Sequence, residues 1–303
     1  MSLYHKYRPT HFEGVVGNLH TVQALQNMIT KKECPHVFLF QGETGCGKTT
    51  LARIVAGELG CKGSDYREVN TADNRGIDTI REIIKQTAYK PLESSCRVWV
   101  LDECHKYTND AQNALLKILE DTPAHVYFIL CTTDPQKLIK AIIGRCNVFT
   151  VNVLKDEEML QVLRKAVVGE KQRIEKSIYD QIIQDSLGHP RNALQILEQV
   201  LNVSPENRLE VAKQKAAEYN VVIELCRVLL KNPSWKQVAE VLKGLKEQEP
   251  ENIRRVILGY CQAILLSGQD NSTCGLIMEC FKEPTYNMGF PQIVLSSYSV
   301  VKN

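Results

Sequence analysis

The chain has 303 residues, 44% of them hydrophobic and 24% charged, and its 37 basic and 35 acidic residues leave a net charge of +2. That length exceeds a single small core and suggests two or three domains, while the charge balance excludes a bulk polycation but not a locally basic surface. No apolar stretch approaches the ~20 residues that span a membrane, and Met1-Ser2-Leu3-Tyr4-His5-Lys6 lacks the apolar core of a signal peptide, so a cytosolic protein with no membrane partner is expected.

In chain order, the first strand candidate is His36–Phe40. Gly42-Glu43-Thr44-Gly45-Cys46-Gly47-Lys48-Thr49 follows it, and Leu51, Ile54, Val55 and Leu59 then recur at helical spacing. Two glycines four residues apart before Lys and Thr, set between a strand and a helix, make a phosphate cradle. The glycines let backbone N–H groups curl around phosphates, Lys48 supplies charge to the outer ones, and Thr49 can hold Mg²⁺. Residues Gly42 to Thr50 are therefore candidate nucleotide ligands; the bland alternative is a Gly-rich structural turn.

Further strand candidates are Tyr66–Val69, Arg97–Leu101, Val126–Cys131 and Val148–Val153. Between the third and fourth strands of the series, Ala111, Ala114, Leu115, Ile118 and Leu119 mark one face of a helix that stops before Pro123. Such alternation predicts an α/β fold with a parallel sheet between helices and with ligands at the carboxyl ends of the strands. Val98-Trp99-Val100-Leu101-Asp102-Glu103 reads as a buried strand ending in two carboxylates. Opposite a phosphate cradle, Asp102 would support Mg²⁺ and Glu103 would polarise the attacking water. Solvated helix-capping acids are the alternative. His105, beside Glu103, reads as a structural, hydrogen-bonded residue.

After residue 154 the pattern is helical. Met159, Leu160, Leu163 and Val167 form one stripe, Ile178, Ile182 and Ile183 begin a second, and Ala193, Ile196, Leu197 and Val200 form a third. Val203-Ser204-Pro205-Glu206 resembles a linker, and later helices are punctuated at Asn232-Pro233-Ser234 and Glu249-Pro250-Glu251. From Pro284 onward no element is assigned. The expected domains are 1–154, an α/β nucleotide-binding domain; 155–203, a helical lid; and 204–303, an all-helical domain. The eleven cysteines include no Cys-x-x-Cys pair, and Cys104, Cys131 and Cys261 lie in or beside apolar segments, so buried reduced thiols are expected rather than metal or disulfides.

Asp102-Glu103-Cys104-His105, with Asn113-Ala114-Leu115-Leu116-Lys117 after it, resembles the Walker B motif and following helix of AAA+ ATPases. From Tyr4 to about Val200 the chain resembles motor subunits of sliding-clamp loaders: bacterial DNA polymerase III gamma/tau and the small subunits of replication factor C. By that resemblance Tyr7-Arg8-Pro9 and Val16 fold over adenine, Thr133 is the sensor 1 residue that reads the γ-phosphate, and Arg191 is the sensor 2 arginine reaching the phosphates from the lid. Gly144-Arg145-Cys146 resembles the family's Ser-Arg-Cys triplet, which implies that Arg145 is a finger for the ATP site of the adjacent subunit; here Gly replaces Ser.

The resemblance further implies ATP and Mg as ligands and a pentamer-like spiral with other loader subunits. It also implies a sliding clamp and primer-template DNA as partners. DNA contact would fall on Arg75 and on Thr108-Asn109, which open two helices, and clamp contact on Ile83–Tyr89. The last ~100 residues would form a collar, shorter than the family's. The family's zinc module is missing, because Cys61-Lys62-Gly63-Ser64-Asp65 runs directly into Tyr66 with a single cysteine; no zinc is expected. This compactness fits a reduced replication system such as a virus could encode. A different AAA+ machine (a helicase loader or branch-migration motor) and a non-hydrolysing scaffold subunit remain as alternatives.

Overall fold

The computed structural model describes residues 2–31, 33–71, 75–212, 221–231, 233–266 and 271–302. They form two compact units, 1–209 and 210–303. In the first, β1 (Val37–Gln41), β2 (Tyr66–Asn70), β3 (Arg97–Asp102), β4 (Val126–Thr132) and β5 (Asn147–Thr150) make one sheet in the order β2-β3-β4-β1-β5. Every pair is parallel. Parallel neighbours need crossover connections, and here helices supply most of them. The near-continuous apolar runs of β1, β3 and β4 follow from burial on both faces. Alternate residues separate cleanly. Phe38, Phe40, Val98, Val100, Ile129 and Cys131 pack on one face with Leu51, Ile54 and Val55 of α3 (Lys48–Glu58) and Leu25 of α2 (Leu19–Lys31). Leu39, Trp99, Leu101, Phe128 and Leu130 pack on the other with Ile80 and Ile83 of α4 (Ile77–Thr87) and Leu115 of α5 (Asn109–Glu120). A four-residue α1 (Leu3–Lys6) precedes α2, and a four-residue α6 (Lys140–Ile143) precedes β5.

The last strand ends earlier than its apolar run. Val151 still donates to Gln41 O, but β1 stops there, so Asn152 N–H donates to Asn18 and Leu154 N–H to Gly188 O instead. Between α3 and β2 stands a short turn built on Asp65, whose fully buried carboxylate accepts from the N–H groups of Leu92, Glu93 and Ser94 and pairs with Arg97 at 3.2 Å. The same unit contains α7 (Asp156–Gly169), α8 (Lys176–Ser186) and α9 (Pro190–Leu201). Met159, Leu163, Val167, Ile178, Ile182 and Leu197 of the expected stripes are buried.

The second unit holds α10 (Val221–Leu229), α11 (Trp235–Lys243), α12 (Pro250–Leu266), α13 (Ser272–Cys280) and α14 (Phe290–Lys302) around Leu225, Val238, Ile257, Ile277 and Ile293. Asn232, part of one expected helix start, lies outside the described residues; Ser234 and Gln237 form the capping box of α11. The unassigned tail is a helix, α14. Its apolar period is interrupted by Ser296 and Ser297, both buried, and Ser297 returns its hydroxyl to Ile293 O at 2.8 Å. Cys104, Cys131 and Cys261 are buried, and all eleven cysteines are free thiols. No helix among the described residues is long and apolar enough to cross a membrane.

Glu251, near the start of α12, organises this unit. Its carboxylate accepts from Arg254 at 2.7 and 3.0 Å and from the N–H and hydroxyl of Thr285 at 3.0 Å each, while Arg254 also donates to Phe281 O and Lys282 O. Burial alone would push this carboxyl up, but the Arg254 and Thr285 hydrogen bonds outweigh it and hold it down at about 2, against an ordinary 4.5. A depressed carboxyl contributes stability above its unfolded value and loses it as pH falls. Circular dichroism over a pH series should therefore show wild type losing stability between about pH 4.5 and pH 2. Glu251→Gln is expected to be less stable at neutral pH and flatter across that window. Parallel curves would remove Glu251 as the cause.

Candidate functional site

The cradle forms where β1 ends. A Cβ on Gly42 would lie 2.1 Å from Val151 O, so only glycine lets the chain turn there. Gly47, at φ +114, caps α3 in a left-handed conformation and leaves the first N–H groups of that helix without helical partners. Lys48 is 5% exposed and folds over its own loop, donating through Nζ to Gly42 O at 2.9 Å and Glu43 O at 2.7 Å. Thr49 Oγ1 donates to Asp102 Oδ2 at 3.0 Å, which joins the loop to the end of β3. Burial pushes the Asp102 carboxyl up, and the Thr49 hydrogen bond opposes that.

Glu103 is a non-glycine residue at φ +51, a conformation that costs about 1–2 kcal/mol. It is held there from both sides. Its N–H donates to Asp102 Oδ1 at 3.0 Å, and the Thr71 hydroxyl donates to Glu103 O at 2.7 Å and Asp102 O at 3.0 Å. Thr133 Oγ1 donates to Glu103 Oε2 at 3.0 Å, so the sensor 1 candidate and the proposed base are in contact. His105 Nδ1 lies 3.1 Å from Thr132 Oγ1 and 3.4 Å from Glu103 Oε2. Burial lowers the His105 pKa, so at neutral pH the ring is an uncharged hydrogen-bonding neighbour.

A cavity of about 380 Å³ opens beside these groups. Thr44, Gly45, Cys46, Gly47, Lys48, Thr49, Thr50, Asp102 and Glu103 line it, as do Tyr7, Arg8, Pro9, Val16 and Arg191. Val15, Leu154, Val162 and Leu194 add an apolar wall suited to a base. Gly42 and Glu43 shape the loop without lining the cavity; Glu43 pairs with His189 at 3.4 Å, which holds the Glu43 carboxyl below its ordinary value. The Tyr7 hydroxyl is turned to Glu170 at 2.6 Å. Tyr4 and Lys165, which sequence reasoning missed, also line the cavity, and Thr71, likewise missed, holds the backbone of Asp102 and Glu103 through its hydroxyl. Only the neighbouring strand end in sequence could have drawn attention to Thr71.

The residues present fit a nucleotide with Mg²⁺. The Thr49 hydroxyl and Asp102 carboxylate supply adjacent hard oxygen donors, and the Nε atoms of Arg8 and Arg191 are buried without hydrogen-bond partners. No group of three or more His, Cys, Asp or Glu residues suited to a metal occurs among the described residues.

Arg145 lies outside the cavity lining. It follows α6, donates to Ala141 O at 3.0 Å and to Glu120 Oε2 at 2.9 Å, and is 32% exposed. Gly144 has an ordinary right-handed conformation, and a Cβ there would stand 3.5 Å from its nearest neighbour, so the turn requires no glycine and would accept Ser. Thr108 N–H donates to Arg75 O at 3.1 Å, bringing the starts of α4 and α5 together with Arg75, Thr108 and Asn109 all exposed. Thr108 caps α5 through Ala111 N–H at 3.3 Å. Of the expected clamp-facing stretch, Ile83 and Thr87 are core and Tyr89 is exposed.

Residues 62–155 match the family described as DNA polymerase III, delta subunit. The chain is 34% identical to the DNA polymerase III subunit tau of Bacillus subtilis over 224 residues, covering 67% of this chain and 40% of that protein. It is likewise 34% identical to the gamma/tau subunit of Mycobacterium tuberculosis, covering 66% and 39%. With the gamma subunit of Buchnera aphidicola from Schizaphis graminum it shares 27% identity over 99% of this chain and 98% of that protein. The chain thus spans about 40% of the length of the first two relatives. Among solved structures, the Thermotoga maritima RuvB Holliday junction branch migration motor superposes with a TM-score of 0.60 at 20% identity, covering 75% of this chain and 78% of that one. That likeness shows the fold alone.

Proposed function

From a chain that belongs to the AAA+ clamp-loader family of the DNA polymerase III gamma and tau subunits, we propose an ATP-hydrolysing motor subunit that opens a sliding clamp and places it on primer-template DNA. The observation that supports this is the run of contacts from Thr49 to Asp102 and from Thr133 to Glu103, which ties the glycine-rich loop to two carboxylates that line one cavity and to a threonine behind them.

In this reading the apolar wall with Pro9 and Val16 receives adenine, and the backbone of 42–50 with Lys48 receives the phosphates. Lys48 exchanges its present acceptors, the carbonyls of its own loop, for phosphate oxygens. Bound Mg²⁺, held by Thr49 and Asp102, would neutralise phosphate charge. Glu103 accepts the proton of the attacking water, and Thr133 orients its carboxylate. Arg191 reaches the phosphates from α9, and Arg145 completes the site of a neighbouring subunit, where a planar and permanently charged guanidinium bridges several oxygens.

Residues 1–154, 155–203 and 204–303 act as motor, lid and collar in a spiral assembly in the cytoplasm. Arg75, Thr108 and Asn109 meet DNA phosphates through side chains and helix N-termini. A branch-migration motor shares the fold at 20% identity, whereas the tau subunit of Bacillus subtilis is 34% identical over 67% of the chain. A scaffold that binds nucleotide without hydrolysing it would still use Lys48, Thr49 and Asp102, but would have no use for Glu103 held by Thr133 as a base.

The test is ATP turnover by the chain assembled with its loader subunits, with and without clamp and primer-template DNA. Stimulation by both is expected; turnover indifferent to both would overturn the assignment. Lys48→Ala is expected to weaken ATP binding by about 10–100-fold, the scale of a lost charge-assisted contact.

A further inference from the structure

The cavity contains two guanidinium groups that converge on one tyrosine side chain. Arg8 and Arg191 are far apart in sequence, yet their guanidinium carbons sit 4.5 and 4.9 Å from the centre of the Tyr4 ring. Each also donates through Nη2 to the Tyr4 hydroxyl, Arg191 at 3.1 Å. A tyrosine oxygen has two acceptor lone pairs, enough for one N–H from each. No Asp or Glu among the described residues pairs with either arginine, and the Nε of each is buried with no hydrogen-bond partner. Two like charges brought together beside a phosphate cradle, with donors to spare, call for an anion with several oxygens.

We propose that Tyr4 is a positioning residue for the nucleotide phosphates, an inference that rests on the nucleotide-binding reading of this cavity. Its oxygen takes one N–H from each guanidinium and its ring faces both. The Nε and remaining Nη donors are left for phosphate oxygens, so the arginines lose less freedom when ligand arrives. Tyr4 also couples two elements. It lies on α1, which packs on α9, the helix that carries Arg191, and the same segment is tied to the end of α7 by Lys6 and Tyr7 on Glu170 at 2.7 and 2.6 Å. Phosphates that engage both arginines thereby also fix α1 against α9.

Tyr4→Phe keeps the ring and removes only the oxygen. ATP titration of the full chain by calorimetry is expected to show about 10-fold weaker binding, with the thermal midpoint within a few degrees of wild type. In an Arg191→Ala background the same change is expected to cost about threefold or less, because one of the two groups it positions is gone. Wild-type affinity in Tyr4→Phe, or an equal loss in both backgrounds, would overturn the proposal. Lys48→Ala separates the two ideas. If it binds ATP as wild type does, the nucleotide reading of the cavity fails. If it loses ATP while Tyr4→Phe binds normally, only the role of Tyr4 fails.

Discussion

Replacing Glu103 with Gln is expected to lower ATP turnover by about 10²–10⁴-fold, the usual worth of a positioned general base. The substitution changes little else. Gln retains the volume of Glu and a carbonyl oxygen that can accept from Thr133, which now donates to Glu103 Oε2 at 3.0 Å. The left-handed backbone is held by Thr71 and by Asp102, neither of which touches the altered atoms. ATP affinity should therefore stay within a few-fold of wild type. Single-turnover hydrolysis, measured beside ATP titration, separates the two quantities. Turnover within tenfold of wild type would show that another group accepts the proton; His105, 3.4 Å from Glu103, is a candidate, but burial lowers its pKa and so makes it a weaker base, and it already bonds Thr132.

The second large effect is expected at Arg145. In the assembled complex Arg145→Ala should reduce turnover by about 10³–10⁵-fold, as arginine fingers do in other phosphoryl-transfer systems. The isolated chain should fold normally and bind ATP as before. Arg145 does not line its own chain's cavity, and its partner Glu120 is 62% exposed, so the ion pair it would give up is worth only about 0.2–1 kcal/mol. That weak tether also allows the guanidinium to leave Glu120 for a neighbouring subunit. Full activity of the Arg145→Ala assembly would exclude the finger. Reduced ATP affinity in the isolated chain would instead assign Arg145 to its own site.

Several elements are legible in the amino-acid sequence because their signals are local. The cradle needs glycine where a Cβ would strike Val151 O, and no other residue type satisfies that backbone. The apolar runs of β1, β3 and β4 show burial on both faces, and burial on both faces in an alternating α/β pattern means a parallel sheet. The elements that sequence misplaces have equally local causes. Val151 and Val153 extend the β-branched pattern of the preceding residues and so read as strand, but pairing ends with Gln41 on β1. Helix α14 escapes a periodicity search because serines occupy core positions in its stripe.

Residue types and their spacing determine the chemistry available: a phosphate cradle, two carboxylates at a strand end, and arginines and threonines at intervals that resemble clamp-loader motors. Which of these groups share a site is settled by the tertiary structure. Thr133 reaches Glu103 across 30 residues, and Arg191 reaches Tyr4 across 187, distances over which no periodicity carries information. The same structure leaves Arg145 outside the cavity and turns Tyr7's hydroxyl to Glu170. The physical reason is that side-chain hydrogen bonds and ring contacts form between neighbours in space. Sheet order and helix packing set those neighbours, and both emerge only when the whole core is assembled.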